Sequence, residues 1–96
     1  MPIFVSLGNA TQKGKEAIRE VGKRFEDLKR VIQEANGKVL AAYSLLGRYD
    51  YLLITEFPSE QEATRVLTRI ASRGMVSSET LIALPLGEFI RIAQEA

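Results

Sequence analysis

Four strand-like runs in this chain are apolar at successive positions, and that pattern constrains the fold more than any other feature. Side chains along a strand alternate between its two faces, so a sheet with one wet face reads apolar, polar, apolar. Here the run over 51–57 puts Leu52 and Ile54 on one face and Tyr51, Leu53 and Phe57 on the other. Over 3–7, Phe4 opposes Ile3, Val5 and Leu7; over 38–45, Leu40 and Ala42 oppose Val39, Ala41, Tyr43 and Leu45. Over 76–84, Leu81 and Ala83 oppose Val76, Ile82 and Leu84. Both faces of the resulting sheet call for cover.

Two helix patterns lie between these runs. Ile18, Val21, Phe25, Leu28, Ile32 and Ala35 recur at spacings of 3 and 4, which predicts one helix of about six turns. Asn36-Gly37 closes it with a left-handed stop. Asn9 with Gln12 is a candidate capping box, and Thr11 a second candidate N-cap. Glu20 with Arg24, and Glu26 with Arg30, stand four apart on its outer faces, a solvated surface in which acids alternate with bases. Ser59 with Glu62 opens a second helix along Ala63, Val66, Leu67, Ile70 and Ala71, ended by Arg73-Gly74. Residues 87–96 predict a short final helix.

The order βαββαβ predicts an α+β, ferredoxin-like fold, a four-stranded antiparallel sheet with both main helices on one face. The second face would exceed the few hundred Å² of contiguous apolar surface that a monomer tolerates. A second copy of the same sheet is the simplest cover, and the final helix is too short to cover it all. The prediction is a pairing into a dimeric α+β barrel, or a multiple of the dimer, with Leu53 as one candidate for the subunit contact.

Composition removes several function classes. Thirteen Lys and Arg balance twelve Asp and Glu in 96 residues, a net charge of +1, so no global field gathers nucleic acid. The chain has no His and no Cys, and with them go the commonest general base, thiolate nucleophiles and the usual metal ligands. No metal site and no cofactor are predicted. No apolar run approaches the roughly 20 residues of a membrane span, so no membrane partner is predicted, and the protein reads as cytoplasmic. An RNA-recognition motif shares the strand order, and Tyr49 with Tyr51 has its third-strand spacing. Against it stand Gly47-Arg48 in inverted order, Asp50 where a phosphate would pass, and the neutral charge.

Polar residues beside the apolar strands are the candidate site. Arg48, Tyr49 and Asp50 follow Gly47 in a hairpin, where Arg48 could hold a carboxylate and Asp50 an amine or hydroxyl. Turn chemistry explains Gly47 and Asp50 without any ligand and is the preferred reading. Glu56 shares a face with Asp50, Leu52 and Ile54, where apolar neighbours would suit an acid or base; near the strand end it reads more simply as exposed to water or paired with a Lys or Arg. Tyr43 is placed to enter the subunit contact. No catalytic set is identified; an enzyme here would be cofactor-independent and would rely on Glu56 or Asp50.

A family resemblance runs through these positions. Asn9-Ala10-Thr11, Gly14, Gly47-Arg48-Tyr49-Asp50, Glu56-x-Pro58, Gly74, Thr80, Ala83 and Glu88-Phe89 resemble the GYD domain family over nearly the whole chain, read as one domain over 1–96. Ala10 departs from the aromatic that the family often carries after the Asn. The resemblance implies a ferredoxin-like subunit of the dimeric α+β-barrel superfamily. The stretch through Gly47, Asp50, Gly74-Met75-Val76 and Thr80 is also similar to effector-binding domains of the leucine-responsive regulator family. Those domains bind small molecules such as amino acids between subunits, beside a helix-turn-helix module that is not found here. The resulting expectation is a homo-oligomeric small-molecule-binding or regulatory module.

Overall fold

The computed structural model describes residues 1–96, with elements in the order β1 (Ile3–Ala10), α1 (Gln12–Glu16), a 3-10 turn (Ile18–Glu20), α2 (Val21–Glu34), β2 (Lys38–Ser44), β3 (Tyr51–Glu56), α3 (Glu60–Ala71), β4 (Val76–Ala83) and α4 (Leu86–Glu95). The strands form one antiparallel sheet in the order β2-β3-β1-β4. This is the predicted ferredoxin-like arrangement, with a C-terminal helix added.

Local chemistry places most boundaries. Ser59 Oγ accepts the Glu62 amide at 3.2 Å and starts α3, and Asn36, at φ 60°, stops α2. Thr11, not Asn9, caps α1, accepting the Gly14 amide at 3.1 Å. Asn9 instead belongs to β1, which runs three residues beyond the predicted strand end. Gly8 lies inside that strand, where a Cβ would stand 2.8 Å from Val76 Cγ1; it marks close approach rather than a turn.

The single long first helix is not observed. The chain leaves the α-helical path at Ala17 (φ −105°, ψ 27°) and resumes it only at Val21. Arg24 spans the break, donating to the Ala17 carbonyl at 2.7 Å. Glu20 therefore loses its predicted partner, and Glu26 pairs with Lys29 at 3.0 Å rather than with Arg30. Arg30 reaches Asp27 and Glu34 instead. With the break, the front of the apolar stripe leaves the core: Ile18 and Val21 are exposed, and Phe25 is half-buried beneath the Lys29 ammonium.

The core sits between the sheet and α2 and α3. Phe4, Val31, Ile32, Phe57, Ala63 and Val66 form it, with Leu28, Ala35, Val39, Leu53, Leu67 and Ile70 packed around them. Phe4 meets Phe57 edge to face at 5.9 Å between centroids, the geometry that aromatic quadrupoles favour. Register fixes which sheet residues face the helices, since directly opposed residues share a face. Phe4 opposes Thr55 and Ile82, and Ser6 opposes Leu53 and Thr80. Leu53 is thus a helix-facing residue, not a candidate for the subunit contact. The second face belongs to Leu52 and Ile54.

Strand β2 also changes phase. A bulge at Leu40 sets Val39 opposite Thr55 but Ala41 opposite Ile54 and Ala42 opposite Leu53. One extra residue flips every later side chain, so Val39 and Ala42 share the helix face that unbroken alternation would have divided.

Candidate functional site

The open face of the sheet is built in three layers of four. Across the middle run Ala41, Ile54, Val5 and Leu81, all apolar. One flanking layer holds Tyr43, Leu52, Leu7 and Glu79; the other holds Lys38, Glu56, Ile3 and Ala83. Neither α2 nor α3 reaches this side. Tyr43 is 62 % exposed and Leu81 51 % exposed.

At one end of the sheet the β2–β3 hairpin is clasped to β1. Gly47 takes φ 134°, a conformation open to glycine, and turns the chain. The Asp50 amide donates to the Gly8 carbonyl and to Asn9 Oδ1, each at 2.9 Å. In return the Ala10 amide donates to Asp50 Oδ2 at 2.9 Å. Asp50 thus commits a carboxylate oxygen to the backbone of the neighbouring strand. The Tyr49 hydroxyl donates to Glu79 Oε1 at 2.5 Å. That hydrogen bond, then burial and the carboxylate's charge, pushes the phenol above its ordinary pKa. Arg48 stacks its guanidinium over the Tyr49 ring at 5.5 Å.

The same end gathers the other scattered motif residues. The Thr11 hydroxyl donates to the Gly74 carbonyl at 2.6 Å, and the Thr11 amide to the Met75 carbonyl at 3.0 Å. Gly14 lies so close to Met75 that a Cβ would stand 2.1 Å from its carbonyl oxygen. Asn9, Thr11, Gly14, Asp50 and Gly74 therefore form one junction that joins the end of β1 to the hairpin and to the turn before β4. The sequence suggested a helix cap at Asn9. Its one signal for the clasp is residue type, since short Asn and Asp side chains readily bond backbone amides near chain turns.

The five candidate residues do not converge. Arg48, Tyr49 and Asp50 lie together, with Tyr43 one layer along on the open face. Glu56 is six residues from Asp50 along β3, about 20 Å at the rise of an extended strand, beside Lys38 and Ile3. Two surface grooves lie elsewhere, one lined by Lys23, Glu26, Asp27, Lys29, Arg30 and Gln33, the other by Glu60, Gln61, Thr64 and Arg65. Both are charged, and none of the five candidates lines them. No helix is long and apolar enough to cross a membrane.

Comparison with known proteins agrees with this architecture. A protein of Thermus thermophilus named glutamine synthetase and cystathionine beta-lyase binding protein is 31 % identical over 91 residues, covering 94 % of this chain and 96 % of the relative. The crystal structure of TTHA0845 from the same organism superposes with a TM-score of 0.56 at 27 % identity, covering 88 % of this chain and 94 % of that one. The crystal structure of FFRP-DM1 shares the fold, with a TM-score of 0.59 at 20 % identity over 88 % of this chain and all of the other. The GYD domain model matches residues 4–93, the span that holds the clasp, the core and the open sheet face, and the chain belongs to the GYD domain family.

Proposed function

We propose that this protein is a homo-oligomeric binding module that docks onto partner proteins, two copies pairing through their open sheet faces. The carrying observation is surface. A compact monomer of 10.7 kDa exposes about 5,500 Å², whereas this chain exposes 6739 Å². The surplus of roughly 1,200 Å² compares with the roughly 800 Å² that each partner buries in a stable interface. Its middle layer of four apolar residues has the composition of an interface core, flanked by layers that carry the charges.

The relative's name supports protein partners over a reaction. Nothing in the clasp resembles a catalytic set: Asp50 is engaged with backbone, Tyr49 with Glu79, and Glu56 lies at the far end beside Lys38. Small-molecule recognition on this chain narrows to Arg48 and Tyr43, the polar groups near the clasp least committed to the fold, and any such ligand would lie at the edge of the subunit contact. The test is titration calorimetry with purified glutamine synthetase and cystathionine β-lyase, beside sedimentation of the protein alone. A saturable complex with at least one enzyme, and a dimer or a multiple of it at micromolar concentration, are the expected results. A monomer that binds neither enzyme would sink the reading.

A further inference from the structure

Helix α4 has two faces and no place in its own subunit. At 100° per residue, Leu86, Phe89, Ile90, Ile92 and Ala93 fall within an arc of about 160°. Gly87, Glu88, Arg91, Gln94 and Glu95 take the remainder. Such a divided helix buries its apolar stripe against something. Yet every residue of α4 is exposed, including Phe89 at 54 %. Pro85, in an extended conformation (φ −54°, ψ 137°), leads directly into the helix and directs it off the end of β4. The molecule is correspondingly drawn out, 50 × 31 × 18 Å. Its radius of gyration is 14.6 Å, where a compact chain of this length would have about 12.5 Å.

We infer that α4 is an exchanged arm, packing its apolar face on the second copy of the chain and not on its own subunit. The inference rests on the pairing proposed above. Three observations choose a second copy as the occupant. Exposed apolar side chains follow one another along the chain from sheet to arm, Leu81 on the open sheet face, Leu84 in the connection and Leu86 at the head of α4. The surplus area exceeds what a sheet contact of standard size uses by roughly 400 Å², and a ten-residue helix with an apolar half supplies area of that order. Among its charges the polar side of α4 offers Glu88, Arg91 and Glu95, no pattern that would select an unrelated partner. The arm starts from edge strand β4, outside the sheet rather than over it, so the surface it meets on pairing is the other subunit.

The absence of Cys leaves the chain free for site-specific chemistry, but photochemistry gives the cleaner test. Phe89 is replaced by the photo-cross-linker p-benzoylphenylalanine in full-length protein, prepared in light and heavy isotope forms. The two forms are unfolded together in equal amounts, refolded, confirmed as oligomers by sedimentation, irradiated and mapped by mass spectrometry. Cross-links joining light to heavy chains, at their statistical share, are expected. A dimer in which every cross-link lies within one chain, or in which position 89 does not cross-link, overturns the exchanged arm and leaves the sheet pairing standing. A monomer overturns both. As an independent reading, Ile90→Asp should weaken the dimer at least tenfold while far-ultraviolet circular dichroism is unchanged, and an unaltered dissociation constant would count against the arm.

Discussion

Thr55 is the residue least suited to its place. It is fully buried opposite Phe4 and Val39, and its hydroxyl finds no partner. A buried unsatisfied polar group costs about 1–3 kcal/mol, so Thr55→Val, which keeps the shape and removes the hydroxyl, should stabilise the protein by about 1 kcal/mol. Chemical denaturation would show this as a higher midpoint with an unchanged slope. Asp27 makes the opposite case. Hydrogen bonds from Arg73 and then Arg30 hold its carboxyl below the ordinary aspartate range. A depressed folded-state pKa contributes stability that is present above the unfolded value and lost as pH falls through the folded one. The carboxyl is solvent-accessible, so the contribution is small, but the titration is measurable. In an NMR titration, Arg73→Ala should move the Asp27 midpoint up toward its ordinary value. The Arg73 contact was not legible in the sequence, because Asp27 on α2 and Arg73 in the turn after α3 meet only once the two helices have packed.

At the scale of elements, strand order and helix positions were readable, because β-branched runs and spacings of 3 and 4 state them directly. Sidedness was not. Alternation divides Leu52 from Leu53 but does not say which of them the helices will choose, and the Leu40 bulge inverts the phase of half of β2. The stripe from Ile18 to Ala35 read as continuous because a break at Ala17 leaves the spacing intact. Its consequence is testable. Ile32, fully buried, should cost about 2–5 kcal/mol as Ile32→Ala. Phe25→Ala should cost clearly less than the roughly 3–5 kcal/mol typical of a core aromatic, since Phe25 lies half-buried at the margin. Equal losses in thermal denaturation would restore the unbroken helix. Gly14→Ala should be the most damaging single methyl added to α1, since it would collide with the Met75 carbonyl.

For the whole molecule, ten buried residues out of 96 describe a slab one sheet and one helix layer deep. Two-sided strands in the sequence are consistent with this thinness, and the motifs gave the family over nearly the whole chain. Among the motif residues, Asn9, Thr11, Gly14, Asp50 and Gly74 meet in one junction, and of the candidate site residues only Asp50 takes part in it. If pairing supplies part of the core, stability depends on concentration, because association stabilises the folded chain by mass action. The melting temperature should therefore rise with protein concentration, and Ile54→Glu, which places an unpaired charge in the middle layer, should yield monomers and abolish that dependence. Leu53→Glu should instead unfold the subunit, since Leu53 faces the helices.

The sheet order has a consequence for how the chain is made. Strand β1 lies inside the sheet, yet it is synthesised first, and its two neighbours are β3 and β4. Ile3 pairs with Glu56 on one side and Ala83 on the other, so this inner strand waits until most of the chain has left the ribosome. During that interval Ile3, Phe4 and Val5 present a bare apolar edge that can pair with any other strand. The β2–β3 hairpin and its following helix can form early from local contacts, but the sheet closes only when β4 arrives. A stop or frameshift between β3 and β4 would therefore leave an inner strand that lacks one of its two neighbours, and one before β3 an inner strand that lacks both, products prone to aggregation rather than smaller working domains.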